Sequence, residues 1–317
     1  PLKVKEILEE IDEIVALNSL QFVEHNVQEK IDNDTINLVF NIFEGEKKTV
    51  ERINVKGNSV TNENVIRGEL LLDEGDPFTK INLEKSIAKI KSRNIFSQVD
   101  YQIKEGSENN LKIIEIEVAE SPTGEISAGA GIGTSGGALA LGVKENNWLG
   151  TGKAVEFQVD VDEESLAGVL SLTDPNYDNL GNSLNYFLRS ESNDKPNQGY
   201  ENSVVSAGLG TSFEQYKDLT ASIGTSFTYD DLRTLDSASA SLKKQSGEFS
   251  ELSLNYGFAY DKRNRAFMPT SGGVTNFSQS VPVYADKSFI RNTLSHSSYK
   301  TITEDIIGSG KFYISAI

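Results

Sequence analysis

From residue 124 to the end of the chain, apolar and polar positions alternate with a period of two. In the first such segment Ile126, Ala128, Ala130 and Ile132 form one row, and Glu125, Ser127, Gly129, Gly131 and Gly133 form the other. Leu139, Leu141 and Val143 then oppose Ala138, Ala140, Gly142 and Lys144. Val155, Phe157, Val159 and Val161 oppose Glu156, Gln158, Asp160 and Asp162. The same alternation returns around 166–173, 184–189, 219–227 and 251–261, and less cleanly at 273–283, 289–300 and 308–317. A period of two is the period of a strand. Segments of about ten residues, each with an apolar row against a polar or tiny one, predict an antiparallel barrel with lipid outside and water inside. A soluble sandwich also alternates, but two details favour the membrane. Glu156, Asp160, Arg189 and Glu251 sit mid-strand on the polar row, which suits a wet lumen and not a dry core. Trp148, Tyr177, Tyr229 and Tyr260 gather at predicted strand ends, where an interfacial belt would lie.

The first 120 residues follow another pattern. Val4, Ile7, Leu8, Ile11, Ile14 and Val15 recur at helical spacing, and strand-like runs follow near 27–31 and 35–43. A complete unit comes next. Residues 52–56 read as a strand, and Thr61 is placed to cap a short helix carrying Val65, Ile66, Leu70 and Leu71. Thr79 caps a second helix with the stripe Ile81, Leu83, Ile87 and Ile90, ending at Asn94. Two strands, 98–104 and 111–119, close the unit, the first being the shorter. The order is β-α-α-β-β, and 1–48 matches its last three elements, which predicts a tandem array. Ser121, Pro122, Thr123 and Gly124 form the expected hinge. The predicted domains are a partial module at 1–48, a complete one at 49–120 and the first part of a barrel at 121–317. The expected fold class is thus α+β modules followed by an incomplete transmembrane β-barrel, with about 11 of roughly 16 strands.

Composition narrows the function. The formal net charge is -17, which excludes nucleic acid as the main partner because phosphate binding needs clustered Lys and Arg. There is no Cys, hence no disulfide framework or thiolate metal site. No run of about 18 apolar residues could form a transmembrane helix. Mean hydropathy is -0.36, as expected of a barrel that hides its apolar residues at every second position. The chain starts without a signal peptide and stops inside a predicted strand, so a fragment of a longer secreted precursor is expected.

Motifs for chemistry give way to structural readings. Gly131, Gly133 and Gly136 match the dinucleotide fingerprint, but a strand and not a helix follows them. His25 and His296 fall in different domains, too few for a triad or zinc site. Asp160, Asp162, Glu163 and Glu164 lack calcium-loop spacing and read as a solvated turn. Asp261 with Arg263 and Arg265 reads as a structural ion pair. No catalytic residue, cofactor or metal is expected.

Specific wording now carries a resemblance. VKGNSVTNENVIR at 55–67, EGDPFT at 74–79 and RNIFSQV at 93–99 are worded like POTRA modules. NNWLGTG at 146–152, TDPNY at 173–177, and Tyr260, Asp261, Arg263 and Arg265 leading to PTSG at 269–272 are worded like the barrel that follows such modules. The chain resembles the POTRA-plus-barrel outer-membrane assembly proteins of the BamA type over nearly its whole length. The resemblance implies an outer-membrane barrel with periplasmic modules, non-enzymatic, acting on nascent outer-membrane β-barrel proteins. It implies that residues 125–133 meet the last strand at a lateral gate, where incoming strands pair by β-augmentation. It also implies that the modules present substrate and dock accessory lipoproteins. Gln98, Val99, Asp100, Tyr101, Gln102, Ile103 and Lys104 are the expected open edge of the complete module. Two alternatives stay open: a polypeptide export pore of the two-partner-secretion type, and the barrel of a patatin-type phospholipase fusion. The second would require an upstream Gly-x-Ser-x-Gly segment.

Overall fold

The computed structural model describes residues 23–32, 35–44, 48–133, 136–265, 268–303 and 306–317, together with Val4, Ile7, Leu8, Glu10, Ile11 and Ile14, which are helical. Val15 of the expected N-terminal helix lies outside the described residues. The chain divides into two units, Pro1–Pro122 and Thr123–Ile317.

In the first unit, β1 (Val23–Asp32) and β2 (Thr35–Glu44) form an antiparallel hairpin with Asp32 opposite Thr35. Then come β3 (Thr49–Lys56), α1 (Glu63–Arg67), α2 (Lys80–Ser92), β4 (Phe96–Glu105) and β5 (Leu111–Glu120). The sheet order is β3-β5-β4, with β3 parallel and β4 antiparallel to β5. Thr79 caps α2 as expected, its Oγ1 accepting the Asn82 N–H at 3.3 Å. Leu83, Ile87 and Ile90 of α2 are buried against Val50, Ile53, Ile66, Leu72, Val99, Ile114, Ile116 and Val118. The buried Ser86 is satisfied within this core. Its Oγ donates to the Asn82 carbonyl at 2.6 Å and accepts the Leu71 N–H at 2.8 Å. Past α2, Asn94 takes a left-handed φ of 55°, and Arg93 pairs with the buried Glu69 at 2.9 Å.

Three details differ from the sequence reading. The cap position of α1 belongs to Asn62, while Thr61 is buried. α1 ends at Arg67, so Leu70 and Leu71 lie in the connection that follows, Leu70 packing against the core. β4 has ten residues, as many as β5.

The second unit is one antiparallel sheet of eleven strands in sequential order. They are β6 (Gly124–Gly133), β7 (Gly136–Glu145), β8 (Ala154–Asp162), β9 (Ser165–Asp174), β10 (Ser183–Lys195), β11 (Tyr200–Tyr216), β12 (Leu219–Thr234), β13 (Gly247–Asp261), β14 (Gly272–Ala285), β15 (Arg291–Thr303) and β16 (Ile306–Ala316). A short helix, α3 (Ala240–Lys243), lies between β12 and β13. The register keeps each face continuous from strand to strand. One row runs through Ile126, Val143, Phe157, Leu170, Leu188, Ala207, Phe227 and Leu252, each opposite the next. The row beside it on the other face runs through Glu125, Lys144, Glu156, Ser171, Phe187, Gly208, Ser226 and Ser253. The large members of the apolar row are exposed, so this face is covered by no other part of the unit.

β14 contains Pro282, which has no N–H for a ladder bond. The pairing with β13 shifts between Leu252 and Ser253, directly opposite, so the proline sits at a bulge, where it is tolerated. β11 is the longest strand, with 17 residues. Its alternation is weak because Ala207, Gly208, Gly210 and Ser212 are small on both faces.

Candidate functional site

The sheet has two edges, β6 and β16. Among the described residues β6 pairs with β7 alone, from Gly124 opposite Glu145 to Gly133 opposite Gly136. Ile126 and Ile132 are 86% and 95% exposed, so neither side chain is held by packing. Packing does not demand the glycines of this strand either. A Cβ on Gly129 would touch only the Ala140 Cβ at 3.9 Å, and one on Gly131 would meet nothing within 4 Å. Neither glycine has a positive φ. Glycine here removes side-chain contacts and leaves the strand entropically costly to hold.

The near end of β6, where the chain enters from Pro122, is fastened. The Asn146 backbone N–H and side-chain Nδ2 both donate to the Thr123 carbonyl, at 3.1 and 3.2 Å. Thr123 Oγ1 donates to the Glu145 carboxylate, which also accepts the Asn147 N–H at 2.7 Å. The boundary between the two units, Pro122 to Thr123, falls inside the expected 121–124 hinge, and on its far side the motif NNWLGTG closes on Thr123. Asn147 Oδ1 accepts the Gly152 N–H at 2.7 Å, and Trp148 N–H donates to the Lys153 carbonyl at 2.8 Å. Leu149, Gly150 and Gly152 have φ of 52°, 72° and 69°, and glycine fills two of these left-handed positions without strain.

In the first unit the two sheet edges differ. The outer side of β3 is occupied. Val50 exchanges backbone bonds with Gly75 and Asp76 at 2.8 and 2.9 Å, and Thr49 bridges to Pro77. The Ile53 N–H donates to Glu74 at 3.0 Å and its carbonyl accepts from Arg67 at 2.8 Å. β4, holding Gln98, Val99, Asp100, Tyr101, Gln102, Ile103 and Lys104, has β5 as its one partner strand among the described residues. At the end of β5, the Glu120 carboxylate gathers the N–H groups of Ser59, Val60 and Thr61, at 2.6–3.2 Å, and the Ser59 hydroxyl at 2.6 Å. Burial pushes this carboxyl up, but the bonds from Ser59, Thr61 and Val60 together outweigh it and hold the carboxyl down at about 2.

The polar face of the large sheet carries charged and amide side chains that bond to one another. Arg189 pairs with Glu191 at 2.7 Å, and Gln158 donates to Asp160 at 2.8 Å. A cavity of about 570 Å³ lies on this face, with Asn185, Asn255, Ser280 and Arg291 in its wall. Phe187 also faces it, a position missed in the sequence. It fits because Gly208 lies opposite, where a Cβ would come within 2.5 Å of the ring. The only available signal was that glycine, 21 residues further along the chain. The acidic turn is held by hydrogen bonds and an ion pair within the protein. Asp162 accepts from the Glu164 N–H and the Ser165 hydroxyl, and Glu164 pairs with Lys195 at 2.6 Å. Asp261 binds Arg263 through two nitrogens at 2.9 and 2.6 Å, whereas Arg265 turns instead to the Met268 carbonyl. Trp148, Tyr177 and Tyr260 are exposed at or beside turns on the near side of the sheet, as is Tyr216, whereas Tyr229 lies inside β12 and not at its end.

Known proteins share this layout. Residues 48–121 match the POTRA family described as surface antigen variable number repeat. An outer membrane protein assembly factor BamA of Neorickettsia risticii is 26% identical over 269 residues, which is 82% of this chain and 36% of that protein. The chain therefore spans about a third of the length of that curated relative. The crystal structure of BamA from Haemophilus ducreyi lacking POTRA domains 1-3 superposes with a TM-score of 0.69 at 20% identity, covering 99% of this chain and 64% of that one. CdiB from Acinetobacter baumannii superposes with a TM-score of 0.54 at 12% identity, covering 95% of this chain and 59% of that one. The fold is that of a POTRA module followed by the strands of a BamA-like barrel. The Omp85 superfamily domain matches residues 147–316, more than half of the chain, and the chain belongs to that superfamily.

Proposed function

We propose that this protein is an outer-membrane assembly factor that inserts β-barrel proteins by strand templating at β6. It resides in the outer membrane, with its POTRA modules in the periplasm. The observation that carries the reading is β6 itself: the first strand of the sheet, rich in glycine, with few side-chain contacts to hold its backbone groups in their pairing. In lipid such groups must find partners, so an opened seam attracts an incoming strand by β-augmentation. The work is done by backbone hydrogen bonds and needs no covalent chemistry. Nascent outer-membrane barrels are the substrates, β4 receives their extended segments, and accessory lipoproteins dock on the modules.

A second reading, a polypeptide export pore of the same superfamily, is favoured by the charged polar face and its cavity. The test is backbone disruption in the full-length protein. A proline removes an N–H and a ladder bond. Ile126→Pro or Ala130→Pro should abolish assembly of other barrels, whereas Ser127→Ala should be tolerated. Cysteines joining β6 to the last strand of the barrel should lock the seam and stop assembly. A locked seam with assembly at its normal rate would rule out the gate and favour export.

A further inference from the structure

β6 and β7 carry little that sets how one lies along the other. In the observed register Ala128 faces Leu141, Gly129 faces Ala140, Ala130 faces Leu139 and Gly131 faces Ala138. A slip of one residue would turn the apolar row to the polar face and is opposed by every large side chain. A slip of two residues keeps each side chain on its own face. It exchanges Ala128–Leu141 for Ala128–Leu139 or Ala128–Val143, for which Gly129 and Gly131 leave space, and moves Ser127 from Gly142, where a Cβ would come within 2.6 Å of its hydroxyl, to Ala140 or Lys144. Glycine-rich pairs are those whose register is weakly specified. Glu125 opposite Lys144 is the only pair of opposite charges in this ladder.

The bonds that distinguish the alignments lie at the near end. The Thr123 carbonyl takes two donors from Asn146, and the Thr123 hydroxyl meets Glu145. A two-residue slip would carry Thr123 roughly 6–7 Å along β7 and break all three. The residues it meets cannot follow, because 146–153 is closed on itself by Asn147, Trp148 and the left-handed Gly150 and Gly152.

We infer that Thr123, Glu145 and Asn146 are positioning residues that lock the register of β6 on β7, and so set the register in which an incoming strand adds to the free edge of β6. The second half rests on the templating reading above. A strand takes its alignment from its neighbour, so a two-residue error in β6 passes unchanged into whatever pairs with it.

Disulfide trapping in the full-length protein, in outer membranes, reads the register without reference to assembly. Cysteines at Ala128 and Leu141 report the observed alignment; cysteines at 128 with 139 or 143 report the slipped ones, because only directly opposed Cβ atoms come close enough to bond. With the clasp intact the 128–141 pair should dominate. Glu145→Ala with Asn146→Ala should raise the slipped-to-native ratio by roughly tenfold, the scale of losing one or two hydrogen bonds. Thr123→Val, which removes only the hydroxyl, should give a smaller rise. Glu145→Gln, which keeps an acceptor, should restore the native pattern, as a bulk loss of stability would not allow. Heat-modifiable migration identifies folded protein in each case. An unchanged pattern in the folded Thr123→Val and Glu145→Ala proteins overturns the lock. A slipped register with client barrels still assembled at the normal rate leaves the lock standing and overturns templating by β6.

Discussion

Phe157 and Gln158 are chemically opposed neighbours, and the sheet places them on opposite faces. Phe157 stands in the exposed apolar row between Val143 and Leu170, while Gln158 hydrogen-bonds Asp160 on the polar face. An arginine at 157 would meet lipid and should cost about 2–4 kcal/mol at mid-bilayer depth. The same substitution at 158 meets water and should be nearly neutral. Reversible unfolding of the two variants in bilayers checks this, and equal effects would contradict the facing. Glu120 offers a second test, in the POTRA module. Its carboxyl is held at about 2 against an ordinary 4.5. A lowered folded-state value contributes stability above 4.5 that drains away as pH falls toward 2. Residues 48–122 should therefore lose stability on acidification through that window. Glu120→Gln should be about 1 kcal/mol less stable at neutral pH and show a flatter pH profile there. Urea unfolding at several pH values measures both; parallel profiles would exclude Glu120 as the source.

Among the elements, the contrast between β3 and β4 matters most for the module. Both are sheet edges, but residues 74–78 and Arg67 already occupy the outer groups of β3. An extended peptide therefore has β4 to add to. In an NMR titration of 48–122 with a peptide copied from a barrel strand, the amides of Gln98–Lys104 should shift most, and those of β3 little. Shifts centred on β3, or none at all, would remove the substrate-presenting role of β4. The sequence marked 98–104 as a strand from its alternation. The sequence also named it as the expected open edge, but alternation alone does not fix the order β3-β5-β4, which arises from the parallel crossover through α1 and α2.

For the whole molecule, the exposed apolar face decides behaviour. Eleven strands present a continuous apolar row far larger than a soluble monomer leaves bare. The full-length protein should partition into detergent and show heat-modifiable migration on gels. Recovery of 124–317 as a soluble monomer without detergent would contradict the membrane assignment. In both units the faces of the strands were legible from alternation, since side-chain period follows directly from backbone geometry. β11 was the hardest to see, because small residues on both faces leave almost no contrast between them.

The order of residues alone determined the two kinds of material, the β-α-α-β-β module, the strand faces and the glycine character of β6, all of which depend on local spacing. Neighbours far apart in the chain belonged to the tertiary structure. Phe187 on the polar face makes sense only beside Gly208, and Arg265 parts from Arg263 to take the Met268 carbonyl. The unit boundary falls within the hinge read from Ser121, Pro122, Thr123 and Gly124, but that Glu145 and Asn146 meet Thr123 on its barrel side was decided by the tertiary structure. Local patterns state what a residue prefers to face. Only pairing across strands states what it meets, because register couples positions that no periodicity links.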